Sequence, residues 1–143
     1  MTLYLDTSSL VKLYVAEPGS EEVRVQVDRA TVVATSMIAY PEARAALARR
    51  RRERLLAPAA FDVAKVKLEA DWPSYLAVQV TDTLCKDAGD LAERYALRGY
   101  DSVHLASYLE VARRAGAADT EFSSSDDRLN VAAGRAARAL ARE

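Results

Sequence analysis

The hydrophobic residues of this chain occur in two alternating patterns: short continuous runs, typical of buried strands, and residues three or four positions apart, typical of helices. Residues 2–5, 31–35 and 76–80 are short runs rich in apolar and β-branched side chains, as expected of parallel strands covered on both faces. A fourth run, residues 120–124, has weaker strand propensity, and we assign it as a strand because the alternation requires one there. The pattern therefore predicts four strands, each followed by helical sequence.

Seven helical segments lie between and after these strands. The first carries Leu10, Leu13 and Tyr14, the second is short and capped by Ser20, the third runs from Ser36 to about Leu56, and the fourth covers residues 59–71. The fifth carries Leu84, Ala88, Leu91 and Tyr95, and Gly99 terminates it. The sixth opens near Asp101 and ends before Gly116, and Asp126 or Asp127 caps the last. Pro41 lies in the first turns of the third segment, where it either kinks the helix or marks its first residue. Alternating strands and helices predict an α/β fold, in which right-handed crossovers connect a parallel sheet to flanking helices.

The length and composition of the chain limit its organisation. Its 143 residues, half of them hydrophobic, suffice for one sizeable core and not for two, so we expect a single domain over residues 1–143. Cys85 is the only cysteine; it can form no intramolecular disulfide, and we expect a buried thiol in a helix. The N-terminus does not resemble a signal peptide, and no stretch approaches the ~20 apolar residues that span a bilayer. These features predict a cytoplasmic protein that makes no membrane contact.

Charge is nearly balanced over the whole chain but not locally. The formal net charge is -1, so the mean field of the protein does not attract nucleic acid. Five arginines form a basic run at residues 49–52 and 54. This run can contact an RNA backbone, receive an acidic segment of a partner protein, or complement a helix dipole in solvent, and the sequence leaves these three open.

Four acidic residues map to the ends of predicted strands or to the helices that follow. Asp6 follows the first strand, Glu42 lies in the helix after the second, Asp101 starts a helix, and Asp126 follows the last strand. Because ligands bind at the carboxyl ends of the strands in such sheets, we expect the four carboxylates to meet there. Each acid alone is also explained as a helix cap or a solvated side chain. Independent caps, however, have no reason to fall at one edge of the same sheet.

A cluster of carboxylates needs a cation, because like charges raise one another's pKa and oppose ionisation. Oxygen ligands without a cysteine or a histidine pair favour Mg²⁺ or Mn²⁺ over Zn²⁺. Such a metal can activate water near neutral pH and neutralise charge on a phosphoryl oxygen, which predicts phosphodiester hydrolysis without a side-chain nucleophile. His104 lies three residues after Asp101 on the same helix face, so it is either a packed core histidine or a contact of this site.

Four segments of the sequence match the motifs of one known family. They are Tyr4-Leu5-Asp6-Thr7-Ser8, Thr35-Ser36 with Glu42 six residues later, Gly99-Tyr100-Asp101-Ser102-Val103-His104-Leu105-Ala106, and Ser124-Ser125-Asp126-Asp127-Arg128-Leu129. In this order they resemble the PIN-domain nucleases, and among these the VapC-type toxins. The resemblance covers nearly the whole chain and implies a three-layer PIN-like fold, with a central parallel sheet of four or five strands flanked by helices.

The resemblance also implies an activity, a cofactor and partners. It implies a Mg²⁺-dependent endoribonuclease that cuts RNA and acts as the toxin of a type II toxin–antitoxin pair. Such a toxin is usually a homodimer and is inhibited by a VapB-type antitoxin. Carried over to this sequence, Asp6 and Asp101 would be the main metal ligands, Asp126 would complete the site, and Glu42 would bind a second metal or orient water. Asp127 duplicates the fourth acid and is its possible substitute.

Further details of the resemblance concern the surroundings of the acids. Ser8 and Ser124 would donate hydrogen bonds that hold these carboxylates. The last strand is more polar than usual in this family, and residues 134–138 replace an apolar strand that often follows, so a fifth strand stays open.

The sequence leaves one other function open and argues against a second. The first is a catalytically degenerate PIN-like module that binds RNA or a protein without cutting, which the unusual last motif leaves open. The second is a phosphatase of the haloacid dehalogenase type, which also places an Asp after strand one. That chemistry needs a second Asp two residues later, where this chain has Ser8.

Overall fold

Four strands and seven α-helices make up the protein in a computed structural model, which describes residues 1–143. The strands are β1 (Thr2–Leu5), β2 (Val32–Ser36), β3 (Leu76–Val78) and β4 (Thr120–Ser123). The helices are α1 (Thr7–Val11), α2 (Ser20–Arg29), α3 (Ala39–Arg52), α4 (Pro58–Asp71), α5 (Asp82–Tyr95), α6 (Gly99–Ala115) and α7 (Asp127–Leu140). Short 3₁₀ turns, Trp72–Ser74 and Ala117–Asp119, precede β3 and β4.

The four strands form one parallel sheet in the order β3-β2-β1-β4. Thr2 of β1 lies opposite Val32 of β2 and Thr120 of β4, and Ala34 of β2 lies opposite Leu76 of β3. All strands run in one direction, so their carboxyl ends share one edge of the sheet. The predicted α/β fold with a parallel sheet is confirmed.

Both faces of the sheet are covered by helices, as the central strand β1 shows. Leu3, Tyr4 and Leu5 are fully buried. Because successive side chains of a strand point to opposite faces, Tyr4 packs in a cluster with residues of α5, α6 and α7, whereas Leu3 and Leu5 pack with residues of α1 to α4. Each face therefore has its own apolar core, and the fold has the three predicted layers.

The boundary between α5 and α6 differs from the prediction. Ala96 takes a left-handed conformation with φ of 53°, and Leu97 N–H donates to the carbonyl of Ala92 at 3.0 Å, a pattern that ends a helix. Gly99 is instead the first residue of α6, which places Asp101 in the first turn of that helix. The prediction that Gly99 terminates a helix is wrong, because the chain has already turned at Ala96.

Helix α3 is shorter than predicted at both ends. Ser36 belongs to β2, where it pairs with β3, so the helix begins at Ala39. Pro41 lies in the first turn, where backbone N–H groups have no intrahelical partner, so its missing N–H does not break the helix. At the other end the helix stops before Arg54, which is left-handed with φ of 60°, and it does not reach Leu56.

The sheet has four strands, because the segment that left a fifth strand open is helical. Residues 134–138 lie within α7, whose buried face carries Ala132, Ala133 and Ala136. Strand β3 also ends earlier than predicted, at Val78 and not at Val80.

Two further expectations concern the surface of the protein. Cys85 is exposed on α5, whose buried positions are Leu84, Ala88 and Leu91, so the expectation of a buried thiol is wrong. None of the helices combines the length and the apolar character needed to cross a bilayer.

Candidate active site

The acids singled out from the sequence lie at the carboxyl edge of the sheet or in the first turns of the helices that start there. Asp6 directly follows β1 and is the N-cap of α1. Asp126 is the N-cap of α7, just after β4. Glu42 and Asp101 lie in the first turns of α3 and α6. All four therefore lie where parallel strands deliver ligand-binding residues.

The Asp6 carboxylate is buried and rigidly held. Its Oδ1 accepts hydrogen bonds from the Ser8 hydroxyl at 2.6 Å and from the Ser9 N–H at 3.0 Å, and its Oδ2 accepts one from the Ser124 hydroxyl at 2.5 Å. The residue is only 5% exposed. Ser8 and Ser124, which the resemblance implies hold the site carboxylates, thus both donate to Asp6, and they join the residues after β1 to the loop after β4.

Asp101 and Asp126 share one cationic neighbour, Arg98. The Arg98 Nε lies 3.1 Å from Oδ2 of Asp101, and its Nη2 lies 3.9 Å from Oδ2 of Asp126. The other oxygen of Asp126, Oδ1, accepts the N–H groups of Arg128 at 2.9 Å and Leu129 at 3.2 Å. One oxygen of Asp126 therefore caps α7 while the other faces the Arg98 guanidinium. Asp126 can thus be both a helix cap and a site acid.

Glu42 belongs to a second network, built around His104. Its Oε1 accepts the Thr7 hydroxyl at 2.6 Å and lies 2.9 Å from Nε2 of His104. The Nδ1 of His104 lies 2.8 Å from the Tyr4 hydroxyl. His104 is 3% exposed, so it is both a packed core histidine and a contact of a predicted site residue.

The protonation of this network follows from burial. Burial raises the pKa of Tyr4 well above its usual value, so the Tyr4 hydroxyl keeps its proton and donates to Nδ1. With Nδ1 as the acceptor from Tyr4, we assign a ring proton to Nε2, which donates to Glu42. Burial also raises the pKa of Glu42, but hydrogen bonds from His104 and Thr7 outweigh it and leave the pKa lowered. Glu42 is thus ionised at neutral pH.

Two residues of this region were not found from the sequence. Thr7 lies inside the first motif, but its hydrogen bond to Glu42 joins residues 35 positions apart, which one sequence does not reveal. Arg98 directly precedes the third motif, and its position three residues before the predicted site acid Asp101 was the signal that could have identified it.

The acids do not enclose a metal ion by themselves in this structure. No group of three or more His, Cys, Asp or Glu side chains is close enough to hold one; the carboxylates bind hydroxyl, N–H and guanidinium donors instead. Their convergence on one cation stays a prediction. The residues nevertheless fit a hard divalent cation, because the Arg98 guanidinium already bridges Asp101 and Asp126 and their oxygens are the donors that Mg²⁺ prefers. The Arg98 side chain is 82% exposed, so little packing opposes its departure.

Comparisons with known proteins point to one family. The family model described as "PIN domain" matches residues 3–134. Two relatives from Mycobacterium tuberculosis, "Ribonuclease VapC45" of strain CDC 1551 / Oshkosh and "Ribonuclease VapC49" of strain ATCC 25618 / H37Rv, are each 40% identical over 109 residues, which is 76% of this chain and 76% of the relative.

A solved structure supports the fold independently. The crystal structure of FitAcB from Neisseria gonorrhoeae superposes with a TM-score of 0.67 at 18% identity, covering 92% of this chain and 93% of that one. The resemblance inferred from the four motifs is confirmed. Since the family match extends over nearly the whole chain, this protein belongs to the PIN-domain family.

Proposed function

We propose that this protein is a metal-dependent endoribonuclease that hydrolyses RNA phosphodiester bonds, with Mg²⁺ or Mn²⁺ as its cofactor. The observation that carries the proposal is the pairing of Asp101 and Asp126 around one cationic group, at the same sheet edge as the Asp6 carboxylate. The names of the two relatives, both ribonucleases, support the substrate class. Membership of the PIN-domain family argues against the phosphatase alternative.

Each acid has a distinct task in this proposal. Asp6 is the fixed ligand, since serine hydroxyls hold both of its oxygens. Asp101 and Asp126 each direct one oxygen, Oδ2, at a common cation. Asp127 is exposed and follows the cap, so we assign the fourth acid to Asp126. When bound, the metal supplies neutralisation of phosphoryl charge and activation of water.

Glu42 is proposed to orient water or to bind a second metal. His104 and Thr7 hold its Oε1 and keep the group ionised. An ionised carboxylate can accept a proton from water or add a ligand oxygen, whereas a neutral one can do neither.

We further propose that the protein is the toxin of a VapBC-type pair, that it acts in the cytoplasm, that it forms a homodimer, and that a VapB-type antitoxin inhibits it. These proposals rest on the relatives' VapC names and on the resemblance of the motifs. Co-purification of the chain with the product of an adjacent reading frame tests the antitoxin, and light scattering tests the homodimer.

The activity is tested with Asp6→Asn, which retains an acceptor for the Ser9 N–H but removes the charge. A fluorescent single-stranded RNA is incubated with each variant in Mg²⁺ and in EDTA. Wild type cuts only with Mg²⁺, Asp6→Asn does not cut, and both show the same circular dichroism spectrum. Asp62→Asn, an exposed change on α4, is purified in the same way and cuts like wild type.

Three outcomes contradict the proposal. Equal cleavage by wild type and Asp6→Asn rejects the role of Asp6, and cleavage in EDTA rejects the metal. RNA binding without cleavage by wild type in either metal favours the degenerate binding module.

A further inference from the structure

A cavity of about 470 Å³ lies between the end of α5 and the start of α7. Its charged lining residues are Arg94, Asp127, Arg128 and Arg135, and Tyr95 and Val131 contribute apolar surface. Three guanidinium groups and one carboxylate give this lining a formal charge of +2, in a chain whose net charge is -1. The lining of the cavity is therefore positive, although the protein as a whole is slightly negative.

The three arginines of the cavity have no ion-pair partner. The ion pairs of the protein include none of Arg94, Arg128 and Arg135. The guanidinium of Arg128 donates only to the carbonyl of Ala96, at 3.3 Å. All three arginines are exposed, so they can bind an anion without first breaking a salt bridge.

The basic run at residues 49–54 differs from the cavity in its contacts and in its position. Arg49 pairs with Glu53 at 2.9 Å and Arg50 with Glu17 at 3.0 Å. Arg51 lies over the ring of Phe61, 5.0 Å from its centroid. Only Arg49 and Arg50 of this run are ion-paired, so its difference from the cavity rests mainly on position: the run lies at the C-terminal end of α3, whereas the site acid Glu42 lies in the first turn.

The position of the cavity relates it to the acids. Asp127 follows the cap residue Asp126 in sequence, and Arg128 and Arg135 project from the same side of α7, about 10.5 Å apart along its axis. The cationic surface thus starts next to Asp126 and leads away from it. An RNA strand that brings one phosphate to the carboxylates must place its neighbouring phosphates on adjoining surface, where unpaired guanidiniums offset the repulsion of the acids.

We propose that this cavity binds the single-stranded RNA substrate on one side of the cut bond, through Arg94, Arg128 and Arg135. The proposal rests on the ribonuclease function proposed above. The guanidiniums contact phosphates, and Tyr95 and Val131 form an apolar surface against which a base packs. Contacts of this kind position the strand and do not select its sequence.

The test measures RNA binding without cleavage. Fluorescence anisotropy follows a labelled single-stranded RNA of mixed sequence in EDTA, over a series of KCl concentrations. Arg94→Gln, Arg128→Gln and Arg135→Gln each weaken binding about two- to fivefold, and each lowers the slope of log Kd against log salt by about 0.7. The triple variant weakens binding by about tenfold or more.

The matched control removes three arginines from the basic run, as Arg49→Gln, Arg51→Gln and Arg52→Gln together. This variant loses the same formal charge and retains wild-type affinity and salt slope. Thermal unfolding of both triple variants verifies the fold. Because binding is read in EDTA, a failure of metal-dependent cleavage leaves this measurement intact, so the two proposals fail separately.

Three results overturn the proposal. The first is absence of RNA binding by wild type at about 50 mM KCl, a low salt concentration at which phosphate contacts are strong. The second is an equal loss of affinity in both triple variants. The third is unchanged RNA binding by the cavity variant together with weaker binding of a labelled polyglutamate peptide, which assigns the cavity to an acidic protein segment.

Discussion

Asp126 performs two tasks that substitutions can separate. Its Oδ1 caps α7 by accepting the N–H groups of Arg128 and Leu129, at 2.9 and 3.2 Å. Its Oδ2 faces Arg98 at 3.9 Å and is the oxygen proposed to bind metal. Asparagine keeps an oxygen that can cap the helix but has no negative charge, whereas alanine has neither. The pair Asp126→Asn and Asp126→Ala therefore distinguishes capping from catalysis.

The expected magnitudes follow from these contacts. Loss of an N-cap acceptor costs about 1 kcal/mol of unfolding free energy. In a domain of this size, that loss lowers Tm by about 3–4 °C. Asn caps about as well as Asp, so Asp126→Asn keeps Tm within about 1 °C of wild type. In both variants the rate of RNA cleavage falls by on the order of a hundredfold, because both lack the negative charge that is proposed to bind the metal.

The assay combines thermal unfolding, followed by circular dichroism, with initial rates of cleavage of a fluorescent RNA in Mg²⁺. A wild-type rate in Asp126→Asn refutes the metal-binding role and leaves Asp126 as a cap only. Loss of cleavage in Asp127→Asn together with retention in Asp126→Asn transfers the role to Asp127. An unchanged Tm in Asp126→Ala contradicts the cap.

Three other predictions concern stability. Burial raises the pKa of Glu42 in the folded protein, but hydrogen bonds from His104 and Thr7 outweigh it, so this pKa lies below that of the unfolded chain. Ionised Glu42 therefore stabilises the fold at pH values above the unfolded pKa. This stabilisation is lost as pH falls through the folded pKa. Glu42→Gln thus flattens the acid limb of unfolding free energy in urea titrations with EDTA, and a limb as steep as that of wild type contradicts the assignment. Leu129→Ala, at a fully buried position, costs about 2–5 kcal/mol in the same assay, whereas Val131→Ala, at 56% exposure, stays within about 0.5 kcal/mol; similar losses for both would show that burial does not set these costs. Millimolar Mg²⁺ raises Tm of wild type, because a ligand of the folded state stabilises it by mass action, and an unshifted melting curve argues against the metal site.

The sequence by itself determined the architecture and the position of the acids. Apolar periodicity depends on neighbouring residues, so it located the first three strands and the helices, and the alternation of these elements then required the fourth strand. Once the strands were known to be parallel, Asp6 and Asp126 had to lie at the same edge of the sheet, because each follows a strand. This inference required no knowledge of the order of the strands.

Boundaries and strand order were decided by tertiary contacts. Ser36 remains in β2 because it pairs with Val78 of β3, a residue far along the chain. Gly99 begins a helix because the chain had already turned at Ala96. Local propensity cannot locate the end of β2, since the backbone partner of Ser36 lies elsewhere in the sequence. The turn at Ala96 is local, but a non-glycine residue rarely adopts the left-handed conformation, so the sequence contains no signal of it.

The connections between the acids and their neighbours also came from the tertiary structure. Tyr4 and His104 are 100 positions apart and share a hydrogen bond, and Ser124 holds Asp6 across 118 positions. The unpaired guanidiniums of the cavity likewise depend on which acids lie nearby in space. Periodicity fixes which face of an element is buried, but only the packing of the elements against one another decides which charge meets which.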